Sequence, residues 1–329
     1  MKNILLMNTG GTFSSTGGEH GLTPTITGER ILRELNGFED TARIEVEDLF
    51  ALDSSNITPD DWVTIARRIA QKLPEFDGFV IIHGTDTMAY TASMLSFMLQ
   101  RLSVPVVLTG SQMPLGVPLT DAVENLRCAV HMALSGVGGV FIAFDRKILR
   151  GCRASKVRTV SFNAFESINY PPVGEVNAFG LQIYAEKAKT AGPVLLQTDY
   201  SDRIAVMKLF PGMNPDMFRY LRDKGCEGIY IEGFGLGGVP FLKSDFTREI
   251  RAASEAGLPI LVGSQCRYEG SNLNIYETGQ RILECGGIPV HDMTQEAVVT
   301  KLMWALGQTK KREQIRWLFA TNIVDEVTL

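Results

Sequence analysis

The chain lacks the cysteine spacing of a metal site or a disulfide framework. Its 329 residues include five cysteines, an odd number, and no Cys-x-x-Cys pair. The cysteines are scattered along the chain at Cys128, Cys152, Cys226, Cys266 and Cys285. Zinc sites and disulfide-rich domains need cysteines that are closely spaced or evenly paired. The sequence therefore predicts reduced thiols in a cytoplasmic protein, with no metal site.

Clustered positive charge and long apolar runs are also scarce. The formal net charge is −5 and no Lys/Arg tract occurs, which disfavours nucleic acid as a partner because phosphate neutralisation needs clustered cations. The first apolar run, residues 4–7, is too short for a signal peptide. The longest uncharged stretch, residues 128–144, contains His131 and three glycines, which indicates a helix end, a turn and a strand. We expect neither a nucleic-acid nor a membrane partner.

Short apolar runs alternate with amphipathic segments through the first half of the chain. The predicted strands are residues 3–7, 78–82, 104–108 and 139–144. Helices are predicted from residue 58, after residue 88 to about residue 101, and over residues 121–135. Strands that are apolar on both faces and separated by helices indicate a mostly parallel sheet with helices on both faces, an α/β fold.

A second, smaller α/β domain is predicted after a region in which strands and helices do not alternate regularly. Regular alternation is lost over residues 145–190, and it returns with strands at 204–209, 228–232 and 259–263 and helices at 215–224, 245–255 and 294–306. The length also suits two domains. We predict a larger N-terminal catalytic domain at 1–190, a linker at 191–202 and a C-terminal domain at 203–329.

The first strand ends in a Thr-Gly-Gly-Thr turn at residues 9–12. A nucleotide P-loop would need a GxxxxGK[ST] pattern, yet no lysine follows Gly11 until Lys72, and the GxGxxG spacing of a dinucleotide site is absent. The remaining interpretation is that Gly10 and Gly11 bring the backbone close to a substrate. Thr12 would then present its hydroxyl.

The other polar motifs at strand ends could supply what a threonine nucleophile needs. Ligands in parallel sheets bind beyond the carboxyl ends of the strands, where the TGGT, HGTD and TGSQ motifs converge. Threonine is a weak nucleophile that requires a base. A lysine desolvated beside Thr85, such as Lys156, can become neutral and take a proton. Asp86 could orient that lysine or hold a substrate ammonium.

Each of these residues also has a structural interpretation. Thr12 is compatible with an ordinary turn. His83 suits a hydrogen-bonded core or turn histidine. The basic cluster is typical of a solvated strand face, and its members are Arg150, Arg153, Lys156 and Arg158.

Taken together, the motifs resemble those of a known family. The chain resembles the bacterial-type L-asparaginases of the asparaginase/glutaminase family in five motifs. They are TGGT at 9–12, HGTDTM at 83–88, TGSQMP at 109–114, DAVENL at 121–126 and RASKV at 153–157. SQC at 264–266 and the segment 292–306 resemble the cytosolic type I branch. The resemblance covers the whole chain.

The resemblance implies a cofactor-independent hydrolysis of asparagine to aspartate and ammonia. Thr12 would be the nucleophile that forms an acyl-enzyme. Thr85, Asp86 and Lys156 would form the second catalytic set, in which water is activated through Thr85 and Lys156. Backbone N–H groups near Gly11 and Thr85 would stabilise the oxyanion.

The same resemblance implies a substrate site and an assembly. Ser54 and Ser55 would lie at the substrate carboxylate, Asp86 would hold the α-ammonium, and Ser111 would bind through its backbone carbonyl. The ligands would be L-asparagine and L-aspartate. The family builds its sites between subunits, which implies a homodimer or a homotetramer.

Three positions depart from the family pattern. Many members carry a tyrosine in the loop after TGGT, whereas this chain has Leu22 there and no tyrosine between residues 1 and 86. We expect residues 13–22 to form a mobile lid without it. Gly238 stands where some members have an asparagine that reaches the neighbouring subunit. Glu232 stands where some type I enzymes have a regulatory-site arginine, so we do not expect that regulation here.

Other functions remain open at this stage. The chain could be a glutaminase or another amidohydrolase of the family, including the amide-hydrolysing subunit of a tRNA-dependent amidotransferase. The latter is expected to have an extra N-terminal domain and a basic RNA-binding face. A catalytically weak amino-acid sensor is the third alternative.

Overall fold

A computed structural model describes residues 1–18, 21–185 and 192–329, without the side chains of residues 18, 21 and 22. The chain forms two compact units, Met1–Gln197 and Thr198–Leu329. The predicted boundaries at 190 and 203 stay a prediction, and residue 191 of the predicted linker lies outside the described residues.

The first unit is built on an eight-stranded sheet. Its strands, including three small pairs beside the main sheet, are β1 Lys2–Gly10, β2 Ser15–Gly18, β3 Gly21–Pro24, β4 Ala42–Leu52, β5 Gly78–Ile82, β6 Leu99–Gln100, β7 Pro105–Thr109, β8 Gly139–Phe144, β9 Lys147–Arg150, β10 Ala154–Lys156, β11 Phe165–Ser167, β12 Gly174–Asn177, β13 Gly180–Ile183 and β14 Leu195–Leu196. The main sheet has the order β13-β12-β9-β8-β7-β5-β1-β4, in which β4, β1, β5, β7 and β8 are parallel. The remaining three strands, β9, β12 and β13, pair antiparallel to their neighbours.

Helices cover both faces of this sheet. They are α1 Gly28–Leu32, α2 Pro59–Lys72, α3 Met88–Met98 and α4 Ala122–Ala133. Ile4 and Val80 point into a core shared with α1 and α4, and their neighbours Leu5 and Phe79 are buried as well. Because side chains alternate between faces along a strand, both faces are covered. The predicted α/β class and the mainly parallel sheet are confirmed.

The start of α2 shows how local sequence sets these helices. Thr58 and Asp61 form a capping box, in which the Asp61 carboxylate accepts the Thr58 N–H at 2.8 Å, and Pro59 occupies the first turn. Trp62, Ile65 and Ile69 then lie buried at helical spacing.

The second unit is a four-stranded parallel sheet with its own core. Its strands in spatial order are β15 Ile204–Lys208, β16 Gly228–Gly233, β17 Ile260–Ser264 and β18 Ile288–Pro289. Its helices are α5 Met217–Asp223, α6 Phe246–Glu255, α7 Glu277–Glu284, α8 Gln295–Gln308 and α9 Arg312–Phe319. On α8, the fully buried Lys301 ammonium pairs with the equally buried Glu326 carboxylate of the C-terminal segment. Among the described residues, no helix is long and apolar enough to cross a bilayer.

Candidate active site

Four adjacent strands of the first unit bring the predicted motifs to one edge. Asn8 of β1 is paired with Ile82 of β5, and Ile82 is paired with Thr109 of β7. On the other side, Gly10 of β1 pairs with Leu52 of β4. Because all four strands are parallel, the segments that follow them emerge at the same edge of the sheet.

Glycines allow these segments to touch through their backbones. A Cβ atom on Gly11 would lie 2.3 Å from the Cα of Gly84, and Gly11 has a φ of +77°. A Cβ on Gly84 would lie 2.5 Å from the Ser54 Oγ. A side chain at either glycine therefore clashes, so the glycines are what permit Thr12 and Thr85, the residues that follow them, to lie at one place.

Thr12 opens a short 3-10 turn, Thr12–Ser14, directly after this contact. The Gly11 N–H donates to the Leu52 carbonyl at 2.9 Å, so it is already engaged within the sheet edge. The N–H groups of Thr12 and Thr85, in contrast, have no acceptor among the described residues. These two N–H groups, unlike that of Gly11, are therefore open to a ligand.

Lys156 joins Thr85 and Asp86 in one hydrogen-bonded set. Its Nζ donates to the Thr85 Oγ1 at 2.7 Å and to the Asp86 Oδ1 at 2.7 Å. Thr85 is 5% exposed and the Lys156 side chain 17%, whereas the Asp86 side chain is 62% exposed. The lysine is thus sheltered beside the hydroxyl, and the carboxylate remains open to solvent or to a ligand.

The serines after β4 have different surroundings. Ser54 is buried, and its carbonyl accepts the Thr87 hydroxyl at 2.7 Å, which connects this segment to the HGTDT segment. Ser55 is exposed, and its N–H donates to the Asp53 carboxylate at 2.8 Å. The Ser55 hydroxyl donates to the same carboxylate. The structure places the Ser54 side chain against Gly84, while the Ser55 hydroxyl is held by Asp53.

The segment after β7 is braced by the start of α4. The Asp121 carboxylate accepts the N–H groups of Gln112 and Met113 at 3.0–3.1 Å. The buried Asn125 donates its Nδ2 to the Gly110 carbonyl and to Asp121, both at 3.0 Å. Sequence reasoning gave Asp121 and Asn125 no individual role. Their spacing of four residues at a predicted helix start is the signal that could have identified them as supports of the site.

Gln112 also contacts the hydrogen-bonded set of Thr85, Asp86 and Lys156. Its Nε2 donates to the Thr159 and Ser161 carbonyls at 3.2 and 3.1 Å, which leaves its Oε1 facing the Thr85 Oγ1 at 3.4 Å. No sequence pattern assigns a role to this side chain. It links the segment that follows Lys156 to Thr85.

His83 is a structural histidine, as its sequence interpretation holds. Its Nδ1 and Nε2 are hydrogen bonded to the Gly84 carbonyl at 2.7 Å and to the Thr91 hydroxyl at 2.9 Å. Complete burial lowers the pKa of His83 to about 4, so the ring is neutral at pH 7. Since Gly84 O can only accept, the Nδ1 carries the proton.

The solvated-face interpretation of the basic cluster does not hold for Arg153 and Lys156. Arg153 is fully buried, with its guanidinium 5.2 Å from the centre of the Tyr170 ring. Lys156 is sheltered beside Thr85 and Asp86, and Arg158 pairs with Glu166 at 2.6 Å. An aromatic ring stabilises one of these cations and acidic side chains neutralise the other two, and the local pattern does not reveal these partners.

The first residues of the expected lid, residues 13–22, are buried. Phe13 and Ser14 are buried, and the Ser14 carbonyl accepts the N–H groups of Thr25 and Ile26 at 2.8 Å. Strands β2 and β3 then form a hairpin, in which Leu22 pairs with Gly17. Residues 19 and 20, at the turn of that hairpin, lie outside the described residues.

Two further departures from the family pattern lie in the second unit. A Cβ on Gly238 would lie 2.9 Å from the Thr278 Oγ1, so a larger residue would require Thr278 to shift. Burial raises the pKa of the Glu232 carboxyl, and the Lys208 ammonium lies 3.8 Å from it. Loss of the type I regulation stays a prediction.

Comparison with known proteins places the chain among hydrolases of amides. Residues 3–189 match the family model described as "Asparaginase, N-terminal", and residues 203–319 match "Glutaminase/Asparaginase C-terminal domain". An L-asparaginase from Thermococcus kodakarensis is 41% identical over 327 residues, 99% of each chain. One subunit of the glutamyl-tRNA(Gln) amidotransferase from Pyrococcus horikoshii is 36% identical over 344 residues, 100% of this chain and 77% of the relative.

Solved structures agree with the sequence matches. The thermostable L-asparaginase from Thermococcus kodakarensis superposes with a TM-score of 0.94 at 40% identity, covering 99% of each chain. L-asparaginase I from Vibrio cholerae superposes with a TM-score of 0.91 at 31% identity, covering 100% of this chain and 99% of the other.

Proposed function

Because this chain belongs to the asparaginase/glutaminase family, we propose that it is an L-asparagine amidohydrolase that releases aspartate and ammonia through a threonyl acyl-enzyme. The observation that supports the proposal is the close approach of Gly11 to Gly84, the residues that precede Thr12 and Thr85, together with the hydrogen bonds of Lys156 to Thr85 and Asp86. Acyl transfer requires a nucleophilic hydroxyl, a base and donors for the oxyanion. The threonine hydroxyls, the sheltered amine and the two open N–H groups can supply them.

In the first step the Thr12 Oγ1 attacks the side-chain amide carbon of asparagine. The negative charge that develops on the amide oxygen is stabilised by the N–H groups of Thr12 and Thr85, which have no protein acceptor among the described residues. One such donor is worth roughly 3–4 kcal/mol in comparable sites. The C–N bond then breaks, and the leaving nitrogen takes the proton that the Thr12 hydroxyl has given up and departs as ammonia.

In the second step a water molecule attacks the ester carbonyl. Thr85 takes its proton and passes its own hydroxyl proton to the neutral form of Lys156, 2.7 Å away. The ester bond to Thr12 breaks, Thr12 regains a proton, and aspartate leaves. Asp86, hydrogen bonded to Lys156, keeps the amine aimed at Thr85.

Recognition of the substrate uses groups around this centre. The exposed Asp86 carboxylate and the Ser111 carbonyl would hold the α-ammonium. Ser54 and Ser55 would contact the α-carboxylate. The Ser55 hydroxyl is hydrogen bonded to Asp53, so it would have to rotate away from Asp53 to contact the substrate carboxylate. Without that rotation, Ser54 would make the main contact.

The test is ammonia release from asparagine by the wild type, Thr12→Ala and Thr85→Ala, with Thr64→Ala on the surface of α2 as the matched control. We expect both site variants to lose activity and the control to keep it. Unchanged activity in both site variants would overturn the assignment. Calorimetry that finds aspartate binding but no hydrolysis in the wild type would favour a sensor instead.

A second candidate is favoured by the 36% identity to the amidotransferase subunit. In that case the chain would hydrolyse an amide to supply ammonia to a partner that acts on charged tRNA. The net charge of −5 opposes direct RNA contact. Asparagine turnover by the isolated chain supports the first candidate. Turnover that requires a partner and misacylated tRNA supports the second. Glutamine hydrolysis is measured in the same assays to compare the two amides.

We also propose a cytoplasmic homodimer or homotetramer. The five cysteines are all free thiols, which suits a reducing compartment. Large apolar side chains such as Leu242 and Phe210 are exposed in the second unit, as expected for a surface that a further copy covers. Sedimentation that gives an active monomer at all concentrations would contradict the assembly.

A further inference from the structure

We propose that Asp121 is a positioning residue, which turns the Ser111–Gln112 peptide so that the Ser111 carbonyl faces the substrate ammonium. The inference rests on the asparaginase function proposed above. It extends that function to a side chain that does not touch the substrate.

The Asp121 carboxylate holds two successive backbone N–H groups. The Gln112 N–H lies 3.0 and 3.1 Å from its two oxygens, and the Met113 N–H lies 3.1 Å from the Oδ1. Hydrogen bonds to an ionised acceptor are stronger than neutral ones. The direction of the Gln112 N–H is therefore fixed towards α4.

Fixing that N–H also fixes the preceding carbonyl. A trans peptide is planar, so its C=O points opposite to its N–H. With the Gln112 N–H held by Asp121, the Ser111 C=O points away from α4. The peptide cannot rotate without breaking both contacts to the carboxylate.

The Ser111 carbonyl has no donor among the described residues, although Ser111 is only 1% exposed. A buried acceptor without a partner is unfavourable, so a ligand that supplies N–H donors gains by binding there. The charged bond on the other side of the peptide also polarises the carbonyl towards a cation. An ammonium group satisfies both conditions.

Asn125 prevents the carboxylate from turning away. Its Nδ2 donates to Asp121 and to the Gly110 carbonyl at 3.0 Å, and its Oδ1 accepts the Asp145 N–H at 3.0 Å. The amide orientation is unambiguous, since the first two partners accept and the third donates. Asp121 is thus anchored from α4 and from the turn after β8.

The test compares two dicarboxylates that differ by the ammonium group. Dissociation constants of aspartate and succinate are measured by calorimetry for the wild type and for Asp121→Asn. We expect the variant to bind aspartate about tenfold more weakly, the loss expected for one hydrogen bond to a charged group, and to bind succinate as the wild type does. Asp121→Ser, which keeps a favourable residue at the helix start, serves if the first variant does not fold.

Thr120→Val is the matched control. Thr120 donates its hydroxyl to the Met113 carbonyl at 3.1 Å, so its loss loosens the same loop without freeing the Ser111–Gln112 peptide. We expect it to leave the aspartate-to-succinate ratio unchanged. An unchanged ratio in folded Asp121 variants would overturn the role of Asp121 alone, whereas a wild type that does not bind aspartate would overturn the proposed function.

Discussion

The Lys156 Nζ lies 2.7 Å from the Thr85 Oγ1, and the lysine side chain is 17% exposed. A proton can pass directly between the two atoms at this distance. Lys156 comes from β10, outside the main sheet, so the contact depends on tertiary structure and not on the strand order that aligns the other motifs.

Removal of this amine should abolish most of the activity. We expect Lys156→Met to lower kcat for asparagine by about 10²–10⁴-fold, since general acid–base groups contribute in that range. Steady-state ammonia release measures the effect. Lys72→Met, which removes a lysine from the surface pair with Glu75, should leave kcat unchanged. A Lys156→Met enzyme within about twofold of the wild type would exclude the lysine from the chemistry.

A methyl group at the meeting point of the segments should be poorly tolerated. Gly11→Ala places a Cβ 2.3 Å from the Gly84 Cα, at a φ of +77°. Backbone strain and overpacking each cost about 1–3 kcal/mol, so the free energy of unfolding should fall by about 3 kcal/mol or more, with loss of activity. Thermal unfolding monitors the change. Gly17→Ala has nothing within 4 Å of its Cβ and should be near neutral; equal effects would contradict the steric argument.

The buried His83 should make stability depend on pH. Its pKa is about 4 in the folded chain and about 6.5 when unfolded, so between these values the unfolded state binds more protons. The free energy of unfolding should therefore fall by about 3 kcal/mol as pH drops from about 6.5 to about 4. Urea unfolding of the wild type and His83→Gln across this range isolates that contribution.

His131 provides the comparison. Burial lowers its pKa too, but its ring is more exposed than that of His83. The His131→Gln variant should change the pH slope less. If His83→Gln keeps the full slope of the wild type, other groups must be responsible for it.

The buried pair in the second unit should behave differently from a surface pair. Glu326→Gln leaves the Lys301 ammonium buried without its counter-charge, so we expect a loss of about 3–5 kcal/mol. Lys301→Met combined with Glu326→Gln should recover much of it, because neither charge then remains buried and an amide oxygen can still accept the Ile323 and Val324 N–H groups. Unfolding in denaturant measures the free energy of unfolding of the single and the double variant. Glu75→Gln, at the surface, should cost under about 1 kcal/mol, and a similar cost at Glu326 would refute the prediction.

The interior strands are predictable from the sequence because they are apolar on both faces. Residues 78–82 and 139–144 are predicted with the bounds that the structure has. The edge strand β4 is missed, since Arg43 and Glu45 interrupt its apolar pattern where one side faces solvent. The antiparallel strands β9, β12 and β13 are not predicted individually either, because short pieces of four residues carry little periodicity.

The site is predictable where residues belong to the motifs that carry the family resemblance, and less so where residues support those motifs from another segment. The contact of Lys156 with Thr85 and Asp86 is expected from the sequence. The support by Asp121 is not, because it requires the loop after β7 to fold back onto the start of α4. The contact of the Arg153 guanidinium with the Tyr170 ring is not predicted either. Such relations are set by packing between separate segments, which no local pattern encodes.

The backbone contacts at the sheet edge limit how this crevice can be changed. A Cβ on Gly10 would lie 2.5 Å from the Leu52 carbonyl oxygen, and one on Gly110 would lie 2.3 Å from that of His83. A directed-evolution library that randomises every residue of the crevice would therefore consist largely of misfolded variants. A change of substrate specificity has to come from substitutions of side chains such as Gln112 and Ser55, while the glycines are kept.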